Sequence, residues 1–173
     1  MEFDCNYDFH KVVEEVLDEY EFDYEYKEDD DLYFSGVNYV DLGNVSLLIM
    51  NAGSRITLVG EVDYAIENEI VYQRASDFVH RFNSMDCIST LFLDPESKYL
   101  YFKKNISITD SFDPQFTFTR DFFRFTLEMD MFGKAIMGVL SGVLSDLDGI
   151  RGIELAIEAF NDEAYEEAEQ FMN

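Results

Sequence analysis

The sequence predicts an α+β fold, with helices packed on one side of a mainly antiparallel sheet of about five to six strands. Three observations lead to this prediction. Several short segments show the apolar alternation of β-strands. Short turns join these segments, which favours antiparallel pairing of neighbours. Helical periodicity precedes the segments, interrupts them once and follows them.

The first element is a helix over residues 8–20, for which Asp8 is the candidate N-cap. Its apolar residues recur at helical spacing and form one stripe: Phe9, Val12, Val13, Val16, Leu17 and Tyr20. A meander follows, because strand patterns alternate with polar turns. The predicted strands cover residues 22–26, 32–40, 45–50 and 55–62. Gly36 lies inside the second of them and predicts a β-bulge.

The periodicity then changes to that of a helix over residues 67–82. A β-hairpin follows, with strands over residues 87–93 and 99–108. The turn between them reads Asp-Pro-Glu-Ser, and proline at its second position suits a type I turn.

A long helix is predicted from about residue 120 to 146. Either Asp113, followed by Pro114, or Thr119 could cap it; the alternation in FTFT favours Thr119. Its continuous apolar stripe comprises Phe122, Phe125, Met129, Phe132, Ile136, Val139, Leu140 and Val143. A second stripe on the far side contains Leu127, Met131, Ala135, Gly138 and Gly142. Two glycines four residues apart indicate that another element packs closely there.

The last segment, over residues 150–172, predicts a helix that is apolar on one side and acidic elsewhere, capped by Asp148. Its stripe contains Ile150, Ile153, Ile157, Phe160, Ala164, Ala168 and Phe171. We expect this helix to lie on the Gly138/Gly142 face as an αα-hairpin. The alternative is that a second copy of the protein occupies that face. The domain prediction is therefore one α+β domain over residues 1–147, with residues 148–173 docked on it as an acidic helix.

The chain has 173 residues and a net charge of −25, unevenly distributed. Residues 1–31 carry −12, residues 148–173 carry −7 and the long middle carries only −6. Such a chain repels nucleic acid and anionic lipid, so we expect neither as a direct partner. With 47% hydrophobic residues the chain is too apolar for disorder. We expect no membrane span and no signal peptide. Cys5 and Cys87 are predicted to be free thiols in a reducing cytoplasm, and a disulfide between them stays open.

No chemical motif in the sequence predicts catalysis. His10 and His80 lack the second histidine of a zinc-binding helix, and no nucleophile elbow or phosphate-binding loop is present. The acids of residues 28–31 lack the ligand spacing of a calcium loop, so a solvated turn is the simpler interpretation. We therefore expect no enzyme activity, no cofactor and no metal.

Interaction surfaces are the better candidates. The aromatic residues Phe112, Phe116, Phe118 and Phe123 cannot all join the main stripe; either they are partly exposed and form an interface, or they cover the end of the sheet. The candidate interaction residues are Phe116, Phe118, Phe123, Leu127, Met131, Gly138 and Gly142.

Residues 9–147 resemble a YbjN domain, a family described as bacterial sensory transduction regulators. The resemblance rests on the meander from YEYKEDDD to RITLVGEV, a helix ending in FVHRFN, the hairpin CISTLFLDPESKYLYFKKNISI and the long helix after it. It implies the fold of type III secretion chaperones, which are small, acidic and usually dimeric. Asn83 is the matched motif position, and we expect it to cap the second helix. The acidic last helix departs from the family pattern.

The resemblance implies a non-enzymatic cytoplasmic regulator or adaptor that acts by binding other proteins or a second copy of itself. A free sheet edge could accept a partner strand in such a protein. Two alternatives stay open. The first is a type III secretion-type chaperone for an effector. The second is an acidic mimic of DNA that sequesters a basic nucleic-acid-binding protein.

Overall fold

The computed structural model describes residues 8–53, 55–108 and 113–172. In this part of the chain it has four α-helices and one six-stranded antiparallel sheet, so the predicted α+β class is confirmed. The helices are α1 (Phe9–Glu19), α2 (Glu69–Phe82), α3 (Pro114–Leu140) and α4 (Asp146–Met172). The strands are β1 (Tyr24–Lys27), β2 (Leu32–Tyr39), β3 (Gly43–Asn51), β4 (Arg55–Val62), β5 (Thr90–Leu93) and β6 (Leu100–Ser107).

The strand order across the sheet is β1-β2-β3-β4-β6-β5. Four long strands form the centre, and the short strands β1 and β5 lie at the edges. The bulge predicted at Gly36 is wrong, because the β2–β3 register runs unbroken through the Gly36–Ser46 pair. A Cβ atom at Gly36 would meet nothing within 4 Å, so this glycine is not required by any close approach.

Helices α1, α2 and α3 pack on one face of the sheet, and α4 packs on α2 and α3. On this face the strands place a closed set of buried side chains against α1 and α3: Tyr33, Val45, Leu47, Ile49, Ile56, Leu58, Leu100 and Phe102. Helix and sheet approach closely at Gly60, where a Cβ atom would lie 2.8 Å from the Met129 sulfur. The opposite face of the sheet carries no helix of the described residues.

The caps of α1 and α2 follow the chemistry expected at helix starts. Asp8 accepts a hydrogen bond from the Lys11 amide, as the sequence predicts. Asn68 accepts from the amides of Ile70 and Val71 at the start of α2.

The predicted start of the long helix at Thr119 is wrong, because α3 begins at Pro114 and Asp113 caps it through the Gln115 amide. Phe118 explains the earlier start. It is fully buried beside Phe122, with ring centroids 5.5 Å apart, and helical spacing brings the two together on one face. The apolar–polar alternation of FTFT is therefore too short to indicate a strand, and the helical spacing of Phe118 and Phe122 decides the structure.

α3 ends at Leu140, earlier than predicted, because Gly142 adopts a left-handed conformation with φ of 79°. Val143 consequently leaves the helical stripe and is 80% exposed. The last helix begins at Asp146 and is capped by Ser145 rather than Asp148. The Ser145 hydroxyl oxygen accepts a hydrogen bond from the Asp148 amide at 3.1 Å.

α4 packs back against α3, as predicted, and also against α2, but it meets the predicted face at Ala135 and not at Gly138 and Gly142. Its contact face on α3 contains Ala135 and Val139, and the close approach comes from glycines of α4 itself. A Cβ atom at Gly149 would lie 2.3 Å from Val139 Cγ2, and one at Gly152 would lie 2.9 Å from the Ala135 Cβ. Ile153 is fully buried in this contact.

The glycines of α3 have other neighbours. Gly138 lies beneath Leu144 of the connecting turn, and Gly142 lies against Val71 of α2. The predicted stripe on α4 is buried at Ile153 and half-buried at Ile150 and Ile157. Phe160 is 44% exposed. The side chains of Ala164, Ala168 and Phe171 lie outside the described part of the chain.

Candidate protein-binding site

The structure brings together two of the seven candidate interaction residues. Phe123 and Leu127 are each 39% exposed and lie one turn apart on α3. Phe116 is 63% exposed near the start of the helix, whereas Phe118 is fully buried and belongs to the core. Met131 is half-buried against the core, and Gly138 and Gly142 are covered as described above. Phe112 lies outside the described residues.

Phe123 and Leu127 line a surface groove of about 500 Å³ between α3 and the second half of β2, here called the α3–β2 groove. The other lining residues are Phe22, Val37, Asn38, Tyr39, Val40, Arg124, Thr126 and Asp130. Most of the exposed lining is apolar. Val40 is 94% exposed. Tyr20 extends the apolar surface, because its ring packs edge-on against Phe123 with the ring centroids 4.3 Å apart.

The apolar groove contains a polar group that lacks a hydrogen-bond partner among the described residues. The Tyr39 hydroxyl is buried and has no hydrogen-bond partner among the described residues. Burial raises the pKa of this hydroxyl above its ordinary value, and the nearby Asp130 carboxylate raises it further. A buried hydroxyl that lacks a partner costs free energy, which an incoming acceptor or donor would recover.

The lining of the groove carries one acid, Asp130, and one base, Arg124. Further acids are close in sequence to its residues: Asp41 follows Val40, and Glu19 and Glu21 flank Tyr20. Together with the net charge of −25, these acids favour a ligand with positive charge around an apolar centre.

The β2 edge beside the groove is unpaired over half of its length. β1 pairs only with Leu32–Ser35, whereas β2 continues to Tyr39. No strand of the described residues pairs with residues 36–39 on that side. Alternate backbone amide and carbonyl groups along this segment therefore point outward, as on any edge strand.

The other edge of the sheet is partly capped by side chains. Asn83 donates to the Leu91 carbonyl and accepts from the Leu91 amide, both at 2.8 Å, and so occupies the outward backbone groups of Leu91 in β5. Next to it, the buried Glu128 carboxylate accepts hydrogen bonds from the amides of Ile88 and Ser89 and from the Ser89 hydroxyl. Asn83 is the C-cap of α2, as expected, but with right-handed helical backbone, and its side chain is used for β5.

The remaining polar candidates have structural partners. Tyr33 donates to Glu14 at 2.7 Å, so its oxygen accepts from Nδ1 of His10 at 2.9 Å; the chain of bonds joins α1 to β2. Burial, followed by the Glu14 hydrogen bond, raises the pKa of the Tyr33 hydroxyl. Burial likewise raises the pKa of the Cys87 thiol to about 11. Cys5 lies outside the described residues.

Two kinds of feature are absent from the described residues. They hold no group of three or more histidine, cysteine, aspartate or glutamate side chains placed to bind a metal ion. No helix among them combines the length and apolar character needed to cross a membrane.

Sequence reasoning missed Phe22, Val37, Tyr39 and Val40, which complete the groove. One signal could have found them. The first predicted strand has five residues and its partner nine, so some of the longer strand had to extend beyond the shorter one. The difference in strand length thus implied an edge strand that extends beyond its partner, close to the aromatic residues of the long helix.

Comparison with protein-family models, curated proteins and solved structures gives no match for this chain. The resemblance to YbjN domains therefore stays a prediction. What the structure itself defines is a class of architecture: an α+β domain with one sheet edge partly capped by side chains and the other unpaired at residues 36–39 beside an apolar groove.

Proposed function

We propose that the protein is a cytoplasmic, non-enzymatic adaptor of the YbjN-like regulator type, which binds an extended segment of a partner protein in the α3–β2 groove. The observation that supports this proposal best is the overhang of β2 beyond β1 next to exposed Phe123 and Leu127. Edge pairing supplies affinity through backbone hydrogen bonds, and an adjacent groove supplies specificity through side chains.

The geometry specifies the pattern of the bound segment. It would pair antiparallel with residues 36–39 and continue the line of β1. Side chains opposite Val37 and Tyr39 would point toward the groove, because these positions lie on the helix-covered face of the sheet. The intervening side chains would point to the other face. The segment should thus alternate apolar residues with polar ones.

The charge of the chain favours a basic segment. The intervening side chains point away from the groove, so the preference for lysine or arginine at these positions rests on long-range attraction by a chain of net charge −25. The same attraction would accelerate association.

The test uses a peptide of sequence KVKFKVK with blocked ends and a fluorescent label. We expect binding by fluorescence anisotropy and slower hydrogen exchange at residues 36–39 in the complex. A scrambled peptide, KKKVFVK, has the same charge without alternation and should bind at least about fivefold more weakly, because only the alternating sequence matches the pleat.

A pair of protein variants makes the test site-specific. Leu127→Lys removes an apolar wall of the groove and adds a repelling charge, so it should weaken binding about tenfold. Leu155→Lys makes the same change on α4, at a leucine that is 49% exposed, and should change affinity less than about twofold. Equal binding of both peptides, or equal effects of both variants, would refute strand addition at this groove.

A type III secretion-type chaperone is a second candidate, favoured by the same open edge. Such a chaperone holds a longer unfolded effector segment. It would then protect more of the surface than residues 36–39 and the groove, which hydrogen exchange with a natural partner would distinguish. The DNA-mimic alternative stays a prediction, tested by displacement of DNA from a basic protein.

A further inference from the structure

The face of the sheet opposite the helices carries an apolar centre. Every second side chain along each strand points to this open face, and the strand register brings together Leu32, Phe34, Leu48, Met50 and Val59 there. All five are half-buried where they stand, because they touch only their neighbours in the sheet. No helix of the described residues covers them.

The charge of the open face differs from that of the chain. The strand residues on this face include two acids, Glu25 and Glu61, and three bases, Lys27, Arg55 and Lys103. Asp94, which follows β5, lines a groove of this face together with Val59 and Lys103, so acids and bases nearly balance on one surface of a protein whose net charge is −25. Repulsion between two copies is weakest if they meet there, because the acids of α1 and α4 then lie on the far sides of both sheets.

One row of side chains across this face is complementary to itself. The register places Glu25, Phe34, Leu48, Val59, Lys103 and Thr90 side by side on β1, β2, β3, β4, β6 and β5. Leu48 has an acid, Glu25, two strands away on one side and a base, Lys103, two strands away on the other. A two-fold axis parallel to β3 would put Glu25 against Lys103 of a second copy twice, Phe34 against Val59 twice, and Leu48 against itself.

The area is close to what a specific contact requires. The five spacings of about 4.8 Å between six strands, and about 26 Å of central strand, give a face of about 600 Å². Standard interfaces bury about 800 Å² on each partner, and aligned packing of two twisted sheets is a common arrangement. An axis perpendicular to the strands would instead place Glu25 against Glu25 and Lys103 against Lys103, which disfavours it.

We propose that two copies of this chain associate through their open sheet faces, about a two-fold axis parallel to β3. This inference goes beyond the proposed function, because the α3–β2 groove lies on the helix side of the sheet and stays accessible in the dimer.

The test is sedimentation equilibrium of the full chain from about 5 µM to 1 mM in about 0.15 M salt, where the Debye length is about 8 Å. We expect the mass to rise from one chain to two. Glu25→Lys and Lys103→Glu should each weaken dimerisation about tenfold, since each places like charges at two symmetry-related positions. The double variant restores opposite charges and should return to within about threefold of wild type.

Matched controls make the same charge changes elsewhere. Glu154→Lys on α4 and Lys134→Glu on α3 are both at exposed positions and should leave the dimer affinity within about twofold. Leu48→Asn, at the proposed axis, should abolish dimerisation in the measured range, with circular dichroism to verify folding.

A mass of one chain at 1 mM would overturn the proposal and leave the face to another segment of the chain or to a different protein. A dimer that ignores the Glu25 and Lys103 exchange would overturn it as well. Leu127→Lys is expected to leave the mass unchanged, so failure of the dimer and failure of groove binding are distinguishable.

Discussion

Adding one methyl group at Gly149 should loosen the last helix. In Gly149→Ala the new Cβ atom would lie 2.3 Å from Val139 Cγ2 and 3.0 Å from Phe78 Cδ2, whereas ordinary contacts begin near 3.4 Å. Both neighbours are fully buried and cannot turn aside, so α4 must withdraw by roughly 1 Å. Overpacking of this kind costs about 1–3 kcal/mol, and alanine returns up to about 1 kcal/mol of helix propensity. We expect a net loss of about 1–2 kcal/mol.

Urea unfolding followed by circular dichroism measures this loss. Gly36→Ala is the matched control, because the same methyl group meets nothing within 4 Å there and should be neutral or slightly stabilising. Val139→Ala removes the clashing Cγ2 atom, so the two substitutions together should cost about 1 kcal/mol less than the sum of their separate effects. A Gly149→Ala protein as stable as wild type, or strict additivity with Val139→Ala, would refute the close-packing account of α4.

Three further outcomes are expected. Glu128→Gln should cost about 2 kcal/mol in urea unfolding, because an amide NH₂ replaces one acceptor oxygen that buried backbone donors need; a change under 0.5 kcal/mol would contradict this. Asn83→Ala should cost about 1–2 kcal/mol and speed hydrogen exchange at the Leu91 amide, since both side-chain hydrogen bonds are lost. Unchanged stability and unchanged exchange at Leu91 in Asn83→Ala would contradict this, because β5 would then be stabilised by its pairing with β6 alone. In a Cys5→Ser background, Cys87 should react with iodoacetamide at pH 8 about 30-fold more slowly than a small-molecule thiol, because its pKa of about 11 leaves little thiolate. Reactivity should rise toward pH 11, and a midpoint near 8.5 would contradict the burial argument.

The sequence was sufficient for elements whose signal is local. The stripe from Phe9 to Leu17 and the alternation of the strands correspond directly to burial in the structure. Asp8 was identifiable as a cap because its side chain bonds within one turn. The predicted order of helices and strands is the observed one.

Contacts between elements that are distant in sequence could not be predicted from the sequence pattern alone. The docking face of α4 was assigned to Gly138 and Gly142 because paired glycines in a helix indicate a close neighbour. The neighbours were real, but they were Leu144 and Val71, while Gly149 and Gly152 made the helix contact. Periodicity says that a glycine is approached; only the three-dimensional arrangement says by what.

The difference between the two sheet edges is likewise a product of the tertiary structure, and it gives the strand-addition proposal its physical basis. An unpaired edge is a hazard that proteins usually suppress. Asn83 and the buried Glu128 carboxylate form hydrogen bonds with backbone groups of Leu91 and Ile88 at the β5 edge. By contrast, no strand of the described residues pairs with β2 beyond Ser35 on its outer side. Acidic residues near that opening discourage a second acidic copy from pairing there. The same charges attract a basic segment, so one arrangement both protects the edge from self-association and selects its partner.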